Sequence, residues 1–225
     1  MPIVRPPAPF AATMALFQGL PAFLAMDSKL PNPAVVKQTF VGSPPKIPTA
    51  ADLGFQTDIV PTQMPDYNPL CVLSLPMASV ISGKGIEASA VSAGWRYFVS
   101  QTPTSNIVAL AAVSQRPPTG AWKMAATYFG PGVAALRDAS NQLWTYASSD
   151  IGYELSYLTV PSMNVEAFYL KPADGSGAIL VPFPNYNEQI VPGLNKTPSY
   201  TEAEFLSTLV ALVKKAKNRI PHSGG

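Results

Sequence analysis

Proline is unevenly distributed along this chain, and its distribution limits what the first third can fold into. Thirteen of the 25 prolines fall within residues 1–70 of the 225-residue sequence. Each proline lacks a backbone donor and restricts the preceding residue to extended geometry, so long helices and central strands are disfavoured there. We therefore predict a largely irregular N-terminal arm over residues 1–70 that contains only short helical pieces.

The start of the arm is apolar but does not match a membrane or export segment. Ala8–Met26 carries no charge, yet Gly19 and Pro21 break the continuous run of about 20 apolar residues that a transmembrane helix needs. A signal peptide is also a poor match, because two prolines follow the early cation Arg5. The apolar spacing instead predicts two short helical pieces, the first capped by Gly19 and the second starting at Pro21.

The large apolar side chains of the arm suggest that it binds a surface. Disordered segments are usually poor in such residues, and extended segments can wrap a large area of a partner. We predict that the arm docks on protein, with membrane contact as a less favoured alternative. The candidate interface residues are Phe10, Met14, Phe17, Leu20, Phe23, Leu24, Phe40, Phe55 and Tyr67.

The rest of the chain is predicted to form three parts. They are a short transitional strand and loop over residues 71–93, a compact domain over residues 94–220 and a mobile tail over residues 221–225. Apolar alternation predicts strands. Residues 121–129 are ambiguous between strand and helix, and we favour a strand. The Asp174–Gly175 pair indicates a hairpin, and Pro182 demotes the following strand to a sheet edge. The predicted strands cover residues 94–100, 106–113, 121–129, 153–160, 165–172 and 178–183.

Two helices are predicted in this domain. The first begins at Pro131 and continues to about residue 150, with Val133, Leu136, Leu143, Trp144 and Ala147 in one apolar stripe. The second follows the capping box formed by Thr201 and Glu204. The predicted fold is therefore α+β: one mostly antiparallel sheet of about five strands with two packed helices, preceded by the proline-rich arm.

The charge content argues against a nucleic-acid partner. Charged residues make up 12% of the chain, about half the roughly 25% that is usual in soluble proteins. The net charge is +2 and the charges are interspersed, whereas nucleic-acid binding needs a clustered basic face. Low charge is consistent with an interface that covers part of the surface, or with an exported protein. The compartment stays open, with a cytoplasmic location slightly favoured.

The sequence offers few groups for catalysis, and we predict no catalytic, cofactor-binding or metal-binding residues. The single histidine, His222, lies four residues from the end, where it could not be held rigidly as a general base. Glu154 and Glu166 could face each other across paired strands, but we interpret them as solvated residues of a sheet face. The single cysteine, Cys71, lies in an apolar run and is predicted to be a small buried hydrophobic residue.

The sequence thus favours a non-enzymatic structural or protein-interaction subunit of a homo- or hetero-assembly that docks through its apolar arm. The first alternative is a small-molecule-binding module with an aromatic-lined pocket between sheet and helices, and its ligand is unknown. The second alternative is an exported protein of unknown activity.

Overall fold

The structure is a computed structural model that describes residues 3–27, 69–101, 106–116, 119–128, 131–147, 150–183, 191–194 and 198–217. Within these residues the chain forms nine strands and five small helices. It divides into two compact units. Unit 1 comprises Met1–Pro6, Leu70–Ala93 and Ala134–Gly225, and unit 2 comprises Pro7–Pro69 and Gly94–Val133.

The elements follow one another in a mixed order. They are β1 (Ile3–Val4), α1 (Phe10–Asp27), β2 (Pro69–Ser74), α2 (Met77–Ser82), α3 (Ile86–Ser89), β3 (Val91–Gln101), β4 (Asn106–Arg116), β5 (Ala121–Tyr128), α4 (Pro131–Asn141), β6 (Tyr153–Val160), β7 (Val165–Pro172), β8 (Ile179–Pro182), β9 (Tyr200–Thr201) and α5 (Glu202–Lys217). Short 3₁₀ turns follow α4 at Leu143–Thr145 and β6 at Pro161–Met163.

The sheet of unit 1 contains both parallel and antiparallel pairs. β7 pairs antiparallel with β6 over the whole length of both strands, from Tyr153 opposite Pro172 to Val160 opposite Val165. β8 and β9 then add antiparallel pairs. β1 and β2 run parallel to β6, and because β7 occupies one edge of β6, they share the other edge. β1 lies beside Tyr153 and Glu154, and β2 lies beside residues 156–159.

Both faces of this sheet are buried. On one face, Leu158, Val160 and Tyr169 pack in a hydrophobic core with Phe205 and Leu209 of α5. Six successive residues of β7, Val165–Leu170, are buried, as expected for a strand that is covered on both sides.

The opposite face carries an aromatic cluster, in which Tyr157 and Phe168 are among the largest fully buried side chains. The ring centroids of Phe168 and Phe183 are 4.7 Å apart, and those of Tyr157 and Phe183 are 5.3 Å apart. Tyr157 and Phe168 are register partners on β6 and β7 and meet edge to face.

The start of α5 is fixed by the predicted capping box. The Thr201 amide and hydroxyl both donate to Oε2 of Glu204, at 2.9 and 2.8 Å. The Glu204 amide donates back to the Thr201 hydroxyl. These bonds favour the charged carboxylate and lower the pKa of Glu204. The capping box therefore supplies hydrogen-bond acceptors for donors at the start of α5 that have no acceptor within the helix.

Unit 2 is built from three antiparallel strands and one helix. β4 pairs with β3 and with β5, each pair with one register shift, and α1 packs on β4 and β5. Among the α1 side chains that the structure describes, up to residue 20, the buried ones are Ala12, Ala15, Leu16 and Leu20. Gly19 lies on the same face, and a Cβ atom there would come within 2.5 Å of the Cβ of Met124. The glycine therefore allows the helix to approach β5 closely.

The predicted fold class is wrong in its sheet. Among the described residues the sheet structure is mixed and contains nine strands, not one mostly antiparallel sheet of about five. Of the five helices found there, α4 and α5 are the two predicted within residues 94–220. The parallel strands β1 and β2 were missed as partners of β6, because pairing between distant segments leaves no local signal in the sequence. The arm is also less irregular than predicted where it is described, since α1 is 18 residues long.

α1 corrects the prediction of two short helical pieces. One helix runs through both Gly19 and Pro21. Proline usually interrupts a helix because it cannot donate to the carbonyl one turn earlier. Here the burial of one face of α1 against β4 and β5 outweighs that local cost.

Four smaller predictions were also tested by the described residues. The strand predicted over residues 121–129 is confirmed for residues 121–128, and residue 129 lies outside the described residues. The hairpin at Asp174–Gly175 is confirmed. α4 ends at Asn141, earlier than predicted, and Trp144 is 64% exposed instead of lying in the apolar stripe. β8 is not an edge strand along its whole length, because β9 pairs with its first two residues and leaves Pro182 beyond the paired stretch.

Candidate functional site

The exposed face of α1 is the candidate protein-binding surface. Phe10 is 69% exposed, and Met14 and Phe17 are partly exposed. These three residues repeat at the spacing of one helix face. We call Phe10, Met14 and Phe17 the α1 outer face.

Contacts on the opposite side of α1 determine the direction in which the α1 outer face points. Ala12 and Leu16 are fully buried, and the Thr13 and Tyr97 hydroxyl groups lie 3.3 Å apart, within hydrogen-bond distance. These contacts fix the rotation of the helix about its own axis. Once it is fixed, Phe10 has to point away from β4 and β5.

The nine predicted interface residues therefore fall into separate groups. The outer face holds three of them, whereas Leu20 is buried within unit 2. Phe23 and Leu24 lie on α1, and the structure describes their backbone but not their side chains. Phe40, Phe55 and Tyr67 lie outside the described residues.

A polar cluster in unit 1 was not predicted. Oε1 of Glu202, in the first turn of α5, accepts the backbone amide of Ile86 at 2.7 Å. Oε2 accepts the Tyr169 hydroxyl at 3.5 Å. Glu202 thus ties the start of α3 to α5 and β7. Three residues that are distant in sequence meet here, which is why spacing alone could not find them.

The surroundings of Tyr169 and Lys171 in this cluster raise the pKa values of both groups. Burial first, and then the negative charge of Glu202, raise the pKa of Tyr169. Lys171 pairs with Glu87 at the exposed side of the cluster, and this hydrogen bond raises the pKa of Lys171. The tyrosine is thus held in its protonated, hydrogen-bond-donating form. The arrangement suits a structural link between elements, with Glu202 as the acceptor.

The link through Glu202 can be tested by substitution. We expect Glu202→Ala to lower the free energy of unfolding by about 1–2 kcal/mol, because the Ile86 amide and the buried Tyr169 hydroxyl lose their acceptor. The Ile86 amide should also exchange faster with solvent. Urea denaturation and amide hydrogen exchange measure the two effects.

Glu87→Ala is the matched control, because it removes a carboxylate that pairs only at the exposed side of the same cluster. Exposed ion pairs contribute little to stability, so this variant should unfold close to the wild type. Equal effects of the two substitutions would contradict the role given to Glu202.

Glu154 and Glu166 do not face each other. Glu154 is exposed and lies opposite Lys171, whereas Glu166 is buried and lies opposite Thr159. Thr159 lies five positions after Glu154 on β6, an odd offset, so the two glutamates are on opposite faces of the sheet. The prediction that both are solvated is therefore wrong for Glu166.

Cys71 and Arg96 also have defined environments. Cys71 is partly buried on β2, and burial raises the pKa of its thiol. Arg96 is 9% exposed, and its guanidinium lies 5.5 Å from the centre of the Tyr128 ring. This distance is within the range of a cation–π interaction.

A surface groove of about 480 Å³ runs beside α5 in unit 1. Tyr200 is the aromatic residue and Lys215 the charged residue among its described lining side chains. The groove lies between the helix and residues 192 and 193. A ligand pocket of the predicted kind would have several aromatic rings, and this groove has one among the described residues.

The described residues provide neither a metal-ligand cluster nor a membrane-spanning helix. They contain no group of three or more His, Cys, Asp or Glu side chains close enough to hold a metal ion. Among the five described helices, none has the combination of length and apolar character needed to traverse a bilayer.

Comparison with known proteins adds no relative. No protein-family model, curated protein or solved structure matches this chain.

Proposed function

We propose that this chain is a non-enzymatic structural or protein-interaction subunit of a larger assembly, and that it docks through the α1 outer face. The exposure of Phe10 is the observation that supports this proposal. Phenylalanine is normally buried, and an exposed aromatic residue next to partly exposed apolar neighbours is typical of a protein-binding surface.

The way α1 is held supports docking by a preformed surface. The opposite side of the helix is anchored on β4 and β5 by Ala12, Ala15 and Leu16. The residues of the α1 outer face would therefore lose little backbone freedom on binding, which favours affinity. The low charge content of the chain is in keeping with a surface that is partly covered in an assembly.

Substitution of Phe10 tests the proposal. Burying a phenylalanine contributes about 1.5–3 kcal/mol, so Phe10→Asp is expected to weaken association at least about tenfold. Light scattering over a wide concentration range would show the wild type above the monomer mass of 23.9 kDa, with the variant closer to it. If the partner is another protein, wild-type bait should retain it from the source cells and Phe10→Asp bait should lose it.

Ile81→Asp is the matched control. Ile81 is 54% exposed on α2, so this variant also replaces an exposed apolar side chain with a carboxylate. It should associate as the wild type does. A wild type that is monomeric at every concentration, together with bait proteins whose retained partners do not depend on Phe10, would overturn the proposal.

A further inference from the structure

β1 is a two-residue strand that pairs with a complementary stretch of β6. Its two residues, Ile3 and Val4, pair with Tyr153 and Glu154. β2 pairs with the next part of β6 and leaves this stretch of the edge to β1. An unpaired strand edge is a template for any segment that can supply the same backbone groups. A second copy of β1 would fit this edge as well as the chain's own β1 does.

The segment after β1 favours separation of the strand from its own unit. Residues 5–9 have the sequence RPPAP and form neither helix nor strand. Three prolines in five residues keep such a segment extended, with a reach of about 15 Å at 3.1 Å per residue. The segment ends at Pro9, whose carbonyl accepts the first α1 amides from Ala12 and Thr13.

We infer that two copies of this chain exchange β1, so that Ile3 and Val4 of each copy pair with Tyr153 and Glu154 of the other. This inference rests on the proposed function, because association through the α1 outer face brings the copies together. Phe10 directly follows the proline-rich hinge, so association there places the two hinges close to each other. The exchanged strands make the contacts already seen within one chain, so each exchanged pair gains no new interface and loses none.

Disulfide trapping between two different variants tests the exchange. Both variants carry Cys71→Ser, and then one carries Val4→Cys and the other Glu154→Cys. The substituted positions are exposed register partners. The two variants are unfolded, mixed, refolded together and oxidised. Exchange predicts a disulfide-linked dimer that contains one copy of each variant.

The control pair combines Val4→Cys with Ser162→Cys, because Ser162 is exposed beyond the far end of β6. We expect several-fold more linked dimer from the Val4 and Glu154 pair than from this control. Replacing Pro6 and Pro7 by alanine should lower the yield, because the hinge becomes less extended.

The inference is overturned if the mixture gives no more linked dimer than the control. A variant that carries both Val4→Cys and Glu154→Cys and forms only an intramolecular disulfide would also overturn the inference. Solution mass separates this failure from that of the proposed function. A parent protein that dimerises without exchanging β1 keeps the proposed function, and a monomeric parent without a Phe10-dependent partner contradicts both.

Discussion

Replacing Gly94 by alanine is expected to lower the free energy of unfolding by about 3 kcal/mol or more. Gly94 has a φ of 131°, which side chains of L-residues rarely adopt, and a Cβ atom there would lie 2.2 Å from the carbonyl oxygen of Val113. Backbone strain of this kind costs about 1–3 kcal/mol, and overpacking adds about 1–3 kcal/mol. The obstacle is backbone on β4, which cannot turn aside as a flexible side chain could.

Gly120→Ala separates strain from steric overlap. Gly120 belongs to the same unit and also has a positive φ, of 65°, but a Cβ atom there meets no atom within 4 Å. It should cost about 1 kcal/mol. Tryptophan fluorescence during urea denaturation reports on unit 2 through Trp95 and Trp122. Similar costs for the two variants would show that the contact with Val113 is not what requires Gly94.

Phe168→Ala is expected to destabilise unit 1 by about 3–5 kcal/mol, the usual cost of removing a buried phenylalanine ring. Phe168 is fully buried on β7, and its ring meets those of Tyr157 and Phe183. The strand is covered on both faces, so its surroundings cannot collapse freely into the cavity. Amide hydrogen exchange along β7 measures the loss in unit 1 directly.

Phe168→Leu and Trp144→Ala serve as controls for this result. The leucine refills much of the cavity and should cost about 1–2 kcal/mol. Trp144→Ala removes an aromatic ring from a position in the same unit that is 64% exposed and lies outside the α1 outer face, so it should change stability by less than about 0.5 kcal/mol. A cost for Phe168→Ala no larger than that of Trp144→Ala would contradict the packing described for the aromatic cluster.

The candidate surface could be predicted from the sequence only in part. The helical spacing of Phe10, Met14 and Phe17 correctly placed them on one helix face. The same spacing included Leu20, which is buried, because an apolar stripe does not indicate which of its edges meets the rest of the protein. That choice depends on Ala12 and Leu16 packing on β4 and β5. The link through Glu202 had no sequence signal at all, since its partners are 116 and 33 residues away.

Local rules in the sequence were sufficient to predict the hairpin at Asp174–Gly175, the capping box at Thr201 and Glu204, and the strand at residues 121–129. Each depends on residues that are neighbours along the chain. Only the tertiary structure decided that β1 and β2 share one edge of β6, and that α1 continues through Pro21. All strands present the same backbone donors and acceptors, so which strand pairs with which is settled by packing between distant segments. The run of 19 uncharged residues at Ala8–Met26 therefore specifies an apolar helix, and its contacts with β4 and β5 determine which side of it remains available to a partner.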